Sequence, residues 1–214
     1  MTVATERRLT VVDHPLAQHK LGLLRDAETP TQYFRQLVNE LAVLLTYEVT
    51  KDLPVEEVEI ATPLERMTVP RISGKKVAVV PILRAGIGML DGVLSLLTAA
   101  RVGFIGLYRN EETLQPVEYY VKLPADVAER DVILLDPMLA TGNSTAAAVD
   151  ILKRAGASSV RMIAIIAAPE GLERLHSAHP DVHVVVAAID RALDERGYIV
   201  PGLGDAGDRL YGTK

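Results

Sequence analysis

Between residues 30 and 50 the apolar positions Phe34, Leu37, Val38, Leu41, Leu44, Leu45 and Val49 recur every three or four residues. That rhythm predicts an amphipathic helix lying on a core. Thr29 or Thr31 is placed to cap its start, and Pro30 suits its first turn. Past residue 76 the pattern changes. Continuous apolar runs of strand length stand at 77–83, 102–108, 132–135, 160–167 and 182–189. Between them lie helical segments: 85–100, with Leu90, Leu94 and Leu97 on one side; 144–155, stopped by Gly156; and 169–178, opened by Pro169.

Strands that are apolar on both faces and alternate with helices imply an α/β fold. Its core is a mainly parallel, twisted sheet with helices on both faces, joined by right-handed crossovers. In such sheets ligands bind beyond the carboxyl ends of the strands, so the loops that follow strands hold the chemistry. Two segments leave the alternation. Residues 109–124 are polar, hold two prolines, and suit a two-stranded arm or mobile flap; residues 190–214 are rich in Gly and Asp and lack helical periodicity. Long irregular segments in small domains are often functional. With no repeat, low-complexity tract or Gly/Ser linker, residues 1–214 read as one domain with an arm and a tail.

The 214 residues are 49% hydrophobic and 24% charged, a globular composition, with a net charge of -5 that opposes non-specific binding to nucleic acid. There is no cysteine, which excludes disulfides, thiolate nucleophiles and Cys-ligated zinc. The charged start from Met1 to Arg8 is not a signal peptide, and no apolar run reaches membrane-span length. The expected location is the cytoplasm, with no nucleic-acid partner and no membrane.

The most informative loop follows the third run. There a buried strand ends on Asp136, and Pro137, Met138, Leu139, Ala140, Thr141, Gly142, Asn143 and Ser144 lead into a helix. The helix start offers unpaired N–H groups, Gly142 admits an anion close to the backbone, and Thr141, Ser144 and Thr145 add hydroxyls. This is a monophosphate cradle without a lysine; a P-loop is excluded because no Gly-Lys-Ser/Thr occurs. Beside it, Asp136 suits sugar hydroxyls or a hydrated metal. After the first run, Pro81-Ile-Leu-Arg84-Ala-Gly86-Ile-Gly88 sets an arginine beside glycines. The third glycine of a dinucleotide fingerprint is replaced by Asp91, so a compact oxyanion fits better than a dinucleotide.

These segments carry a resemblance. The strand, acid and Ala-Thr-Gly-x-Ser sequence resembles the ribose-5-phosphate loop of the type I phosphoribosyltransferases, and Asp136-Pro-Met-Leu-Ala-Thr-Gly is similar to its uracil-specific branch. That branch usually has glycine where this chain has Asn143, a residue that tolerates left-handed backbone better than most. Pro-Ile-Leu-Arg-Ala-Gly is similar to the family's pyrophosphate loop, which assigns Arg84 to the pyrophosphate of phosphoribosyl diphosphate (PRPP). Tyr108-Arg109-Asn110-Glu111-Glu112-Thr113 resembles the start of its mobile arm, with Arg109 as a second PRPP contact.

The tail, Gly197-Tyr-Ile199-Val-Pro-Gly202-Leu-Gly204-Asp205-Ala206-Gly207-Asp208, is similar to the uracil-binding segment. The resemblance implies uracil contacts at Ile199, Gly204 and Ala206, with Asp205 between base and PRPP. Glycine-flanked backbone suits a small neutral base with an alternating carbonyl, N–H, carbonyl edge. It further implies a hood formed by the two chain ends, structural roles for His14 and His19, and Mg²⁺ held mainly by PRPP and water. A homodimer or larger homo-oligomer is implied too, as is, in some members, a GTP effector. The implied reaction is uracil plus PRPP giving UMP plus diphosphate, in pyrimidine salvage. Two other classes share the fold: an RNA-binding pyrimidine-operon regulator, which the acidic balance disfavours, and a PRPP-sensing repressor, which lacks room for a DNA-binding module before residue 25.

Overall fold

A computed structural model describes residues 8–74, 77–109 and 116–213, with the backbone alone at Arg109. Its centre is a sheet of strands β1 (Leu9–Val11), β4 (Ala78–Leu83), β6 (Phe104–Arg109), β7 (Pro116–Lys122), β8 (Asp131–Leu135), β10 (Ser159–Ala167) and β11 (His183–Ile189), in the order β1-β11-β10-β8-β4-β6-β7. Short strands β5 (Arg101–Val102) and β9 (Met138–Leu139) pair with β4 and β10. Every pairing in this sheet is parallel except β6 with β7.

Alternate residues of each strand feed two separate cores. On one face Val79, Ile133, Ile163 and Val185 meet α1 (Pro15–Arg25), α2 (Thr31–Val49), α3 (Ile87–Leu96) and Leu210 of α6 (Ala206–Tyr211). On the other, Val80, Leu134, Met162 and Val184 meet α4 (Asn143–Arg154) and α5 (Pro169–Ala178). Burial on both faces is why the strands read as unbroken apolar runs. Among the described residues no helix is long and apolar enough to cross a membrane.

Several expectations need correction. Thr29 and Thr31 do not cap α2. Pro30 is the capping residue, with no side-chain bond, while the Thr29 hydroxyl donates to the Leu23 carbonyl. The helix expected to reach residue 100 stops at Leu96, because the chain turns there, with the Ala100 N–H bonded to the Leu97 carbonyl, to start β5. The run at 102–108 is two strands separated at Gly103, whose N–H bonds to the Val79 carbonyl. Residues 190–214 are not irregular throughout: they hold a small hairpin, β12 (Ala192–Leu193) with β13 (Ile199–Val200), and helix α6.

Strand β1, helix α1 and an exposed hairpin of β2 (Val55–Ala61) and β3 (Arg66–Ile72) carried no prediction. The expected arm is a hairpin in which β7 lies antiparallel to β6; residues 110–115 and the Arg109 side chain lie outside the described residues.

Candidate active site

Parallel β4, β8, β10 and β11 deliver their following loops to one edge of the sheet. The loop after β4 carries exposed Arg84, preceded by a cis Leu83–Arg84 peptide. It abuts the end of β8 so closely that a Cβ added at Gly86 would stand 2.4 Å from the Leu135 carbonyl oxygen. Arg84 and Asp136 therefore begin neighbouring loops. Arg109 ends β6 at the same edge, since β6 runs parallel to β4.

The loop after β8 divides into two parts. Pro137 and Leu139 use their backbone to extend the sheet: the Pro137 carbonyl accepts from Ile165 and Ile166, and the Leu139 carbonyl accepts from Ala168. Met138 lies between them in β9. Ala140 to Ser144 form the open part. Gly142 is the capping residue of α4, with φ 77° and no side chain to bond the first turn, which also holds no acid. The amides of Asn143, Ser144 and Thr145 thus head a twelve-residue helix uncapped, where the helix dipole favours an anion. Asn143 is not the left-handed residue. It is the first residue of α4, and Gly142 makes the turn that the sequence reading allowed at Asn143.

Asp136 lies half-buried beside this cradle. Burial pushes its carboxyl up to about 7, partly countered by the Met138 N–H, which donates to its Oδ1 at 3.3 Å.

The tail reaches the same edge and is held by side chains that sequence reasoning missed. Arg25, at the end of α1, forms a bidentate pair with buried Asp190 at 2.8 and 2.5 Å. Asp190 Oδ2 accepts from the Gly202 N–H at 2.9 Å, and Arg25 donates to the Gly202 carbonyl. Arg209 lies 4.2 Å over the Phe34 ring and donates to the carbonyls of Leu24, Asp26 and Leu203. These bonds form the hood expected of the two chain ends. One signal was available for Asp190: like Asp136, it is an acid closing an apolar strand. Arg25 carried no local signal.

Within the tail, Ile199 and Ala206 are buried, and Gly204, at φ 71°, has neither its N–H nor its carbonyl bonded to backbone among the described residues. Asp205 caps α6 by accepting from the Asp208 N–H at 2.9 Å. Tyr211 closes the circuit, its hydroxyl donating to the Arg84 carbonyl at 3.0 Å. The loops after β4 and β8 and the tail thereby meet at one edge of the sheet. His14 caps α1 and so is structural, as expected.

Comparison with known proteins shows the family. The family model described as uracil phosphoribosyltransferase matches residues 11–213. A curated uracil phosphoribosyltransferase from Geobacillus kaustophilus is 60% identical over 97% of this chain and 99% of its own length. One from Lactococcus lactis is also 60% identical with the same coverage. A solved protein from Aquifex aeolicus superposes with a TM-score of 0.91 at 39% identity, covering 96% of this chain and 99% of its own. The fold is also that of adenine phosphoribosyltransferase from Trypanosoma brucei, with a TM-score of 0.59 at 12% identity over 92% of this chain and 90% of the other.

Proposed function

The chain belongs to the uracil phosphoribosyltransferase family, and from that premise we propose that it catalyses uracil plus PRPP giving UMP plus diphosphate. One observation carries the reading most directly: the uncapped start of α4, the Arg84 loop and the glycine-rich tail are tied together at one sheet edge. They match a 5′-phosphate, a diphosphate and a small neutral base. The relatives carry the enzyme's name rather than that of an RNA-binding regulator.

In this reading the open amides of residues 140–144 take the 5′-phosphate, and Asp136 takes the ribose hydroxyls. Pro137, Met138 and Leu139 shape the loop from within the sheet. Arg84 is assigned to the diphosphate, with Arg109 of the arm as the second contact that the family resemblance implies. Ile199, Gly204 and Ala206 frame uracil, and Asp205 stands at the junction of base and sugar. The bond from the anomeric carbon to diphosphate breaks as a uracil ring nitrogen attacks the opposite face and loses its proton. Arg84 stabilises the charge gathering on the leaving group, and rigid loops supply positioning.

Among the described residues no three His, Asp or Glu side chains converge as a metal cage. Asp136 would offer a hydrated ion one carboxylate, so Mg²⁺ would be held mainly by PRPP and water, where it would neutralise diphosphate charge. Family membership supports a homo-oligomer and a response to GTP, which light scattering and PRPP saturation with and without GTP would check. A cytoplasmic location fits the same role in pyrimidine salvage.

The deciding experiment is turnover with PRPP, Mg²⁺ and each base in turn. Uracil should be used, and hypoxanthine, adenine and orotate should not; efficient use of a purine overturns the reading. Arg84→Ala should leave the fold intact and lower kcat/KM by about 2–4 kcal/mol, the scale of one lost charge-stabilising donor.

A further inference from the structure

Helix α5 packs against the phosphate loop. A Cβ added at Gly171 would stand 2.3 Å from the Ala140 carbonyl oxygen, and one at Gly142 would stand 3.1 Å from Arg174 Cβ. Arg174 is exposed, and its Nε donates to Asn143 Oδ1 at 3.2 Å. Among the described residues its guanidinium makes no ion pair and no other hydrogen bond, which leaves the terminal nitrogens available.

This placement runs against ordinary helix electrostatics. The N-terminus of a helix carries partial positive charge and favours acids. The first turn of α4 has none, its cap has no side chain, and a full cation is fixed on its first residue instead. Two positive groups held together without a carboxylate between them cost free energy in the empty protein. An anion of nearly two charges set on the α4 amides reverses the sign of that interaction.

Asn143 is what fixes the cation. Its side-chain carbonyl bonds Nε, the one guanidinium nitrogen that faces back along the side chain, so both terminal nitrogens stay available for a bidentate contact with phosphate oxygens. A glycine at 143 would have no such acceptor.

We propose that Arg174 is a further ligand of the substrate's 5′-phosphate, and that Asn143 is the positioning residue that orients it. The inference rests on the reading that the start of α4 binds that phosphate.

The test uses competitive inhibition of uracil turnover by ribose 5-phosphate and, separately, by inorganic pyrophosphate. The enzymes are the wild type, Arg174→Ala, Asn143→Gly and the double variant, each checked by thermal melting. Arg174→Ala should weaken ribose 5-phosphate about tenfold or more, the value of one charge-assisted hydrogen bond, and change pyrophosphate by less than about twofold. The KM for PRPP should rise more than kcat falls. Asn143→Gly should give a smaller loss in the same direction, about threefold, and the double variant should be no worse than Arg174→Ala, because Asn143 acts only through the arginine.

If Arg174→Ala binds ribose 5-phosphate as the wild type does, or if the two substitutions add fully, the inference is overturned while the enzyme reading stands. If the wild type neither turns over uracil with PRPP nor binds ribose 5-phosphate, the reading beneath it has failed and the inference falls with it.

Discussion

The loop after β8 and the tail, both assigned here to the proposed site, are built in opposite ways. From Asp136 to Ser144 the shape comes from main-chain bonds and one glycine: residues 137–139 extend the sheet along β10, Gly142 turns left-handed and α4 begins. The tail from 190 to 213 holds its shape through bonds to residues far away in sequence. Arg25 reaches Asp190 and Gly202, Arg209 reaches Leu24 and Asp26, and Tyr211 reaches Arg84. A site for a charged phosphate needs open amides and a helix dipole, which a short local motif supplies. A site for a flat neutral base needs backbone held at a set distance, and short glycine-rich chain cannot hold itself.

The contrast predicts different failures. Arg25→Ala should cause the largest loss of stability, about 3 kcal/mol, because it strips a buried carboxylate of its cation. Urea unfolding would measure it, with uracil affinity falling more than PRPP affinity. A loss below about 1 kcal/mol, as for a surface pair, would show that the tail does not depend on this anchor.

Asp136→Asn tests the local motif. Burial pushes the folded carboxyl up to about 7 from the ordinary aspartate value of 3.8, so the folded chain holds the proton more tightly. The resulting stability is present below about pH 4 and is lost as pH rises through 7. Allowing for water around a half-buried group, the wild type should lose about 2 kcal/mol between pH 4 and pH 8 that the Asn variant does not lose. Parallel slopes in urea unfolding would show that Asp136 is not desolvated in the free protein.

Gly142→Ala should cost about 1–2 kcal/mol through its left-handed backbone, with a further clash because the new Cβ meets the Gly171 carbonyl oxygen at 2.6 Å. PRPP affinity should fall roughly tenfold with uracil affinity little changed. Asn143→Val should match Asn143→Gly instead, since position 143 heads a right-handed helix; a much worse Val variant would restore a left-handed position there.

The smallest effect is expected of Tyr211→Phe. It removes one partly exposed hydrogen bond, worth about 1 kcal/mol, between the tail and the Arg84 loop. Uracil and PRPP should each bind more weakly and less cooperatively in the variant. Loss confined to one substrate would break the link drawn between the two regions.

Most of the parallel sheet and helices α2, α3, α4 and α5 were legible from residue order alone, because each depends on local periodicity and on strand-loop-helix punctuation. The Ala-Thr-Gly-Asn-Ser stretch announces the uncapped start of a helix, which the structure places at Asn143. Sequence could not say which residue turned left-handed, since Gly142 and Asn143 both can; the start of α4 decided it. Nor could it find Arg25, Arg174 or Tyr211, whose roles depend on partners 165, 31 and 127 residues away. A lone arginine or tyrosine looks the same in sequence whether it faces solvent or holds a loop. Only the packing of α1, α5 and α6 against the sheet edge brought these side chains to their partners, because hydrogen bonds are made at about 3 Å and chain order does not encode that distance.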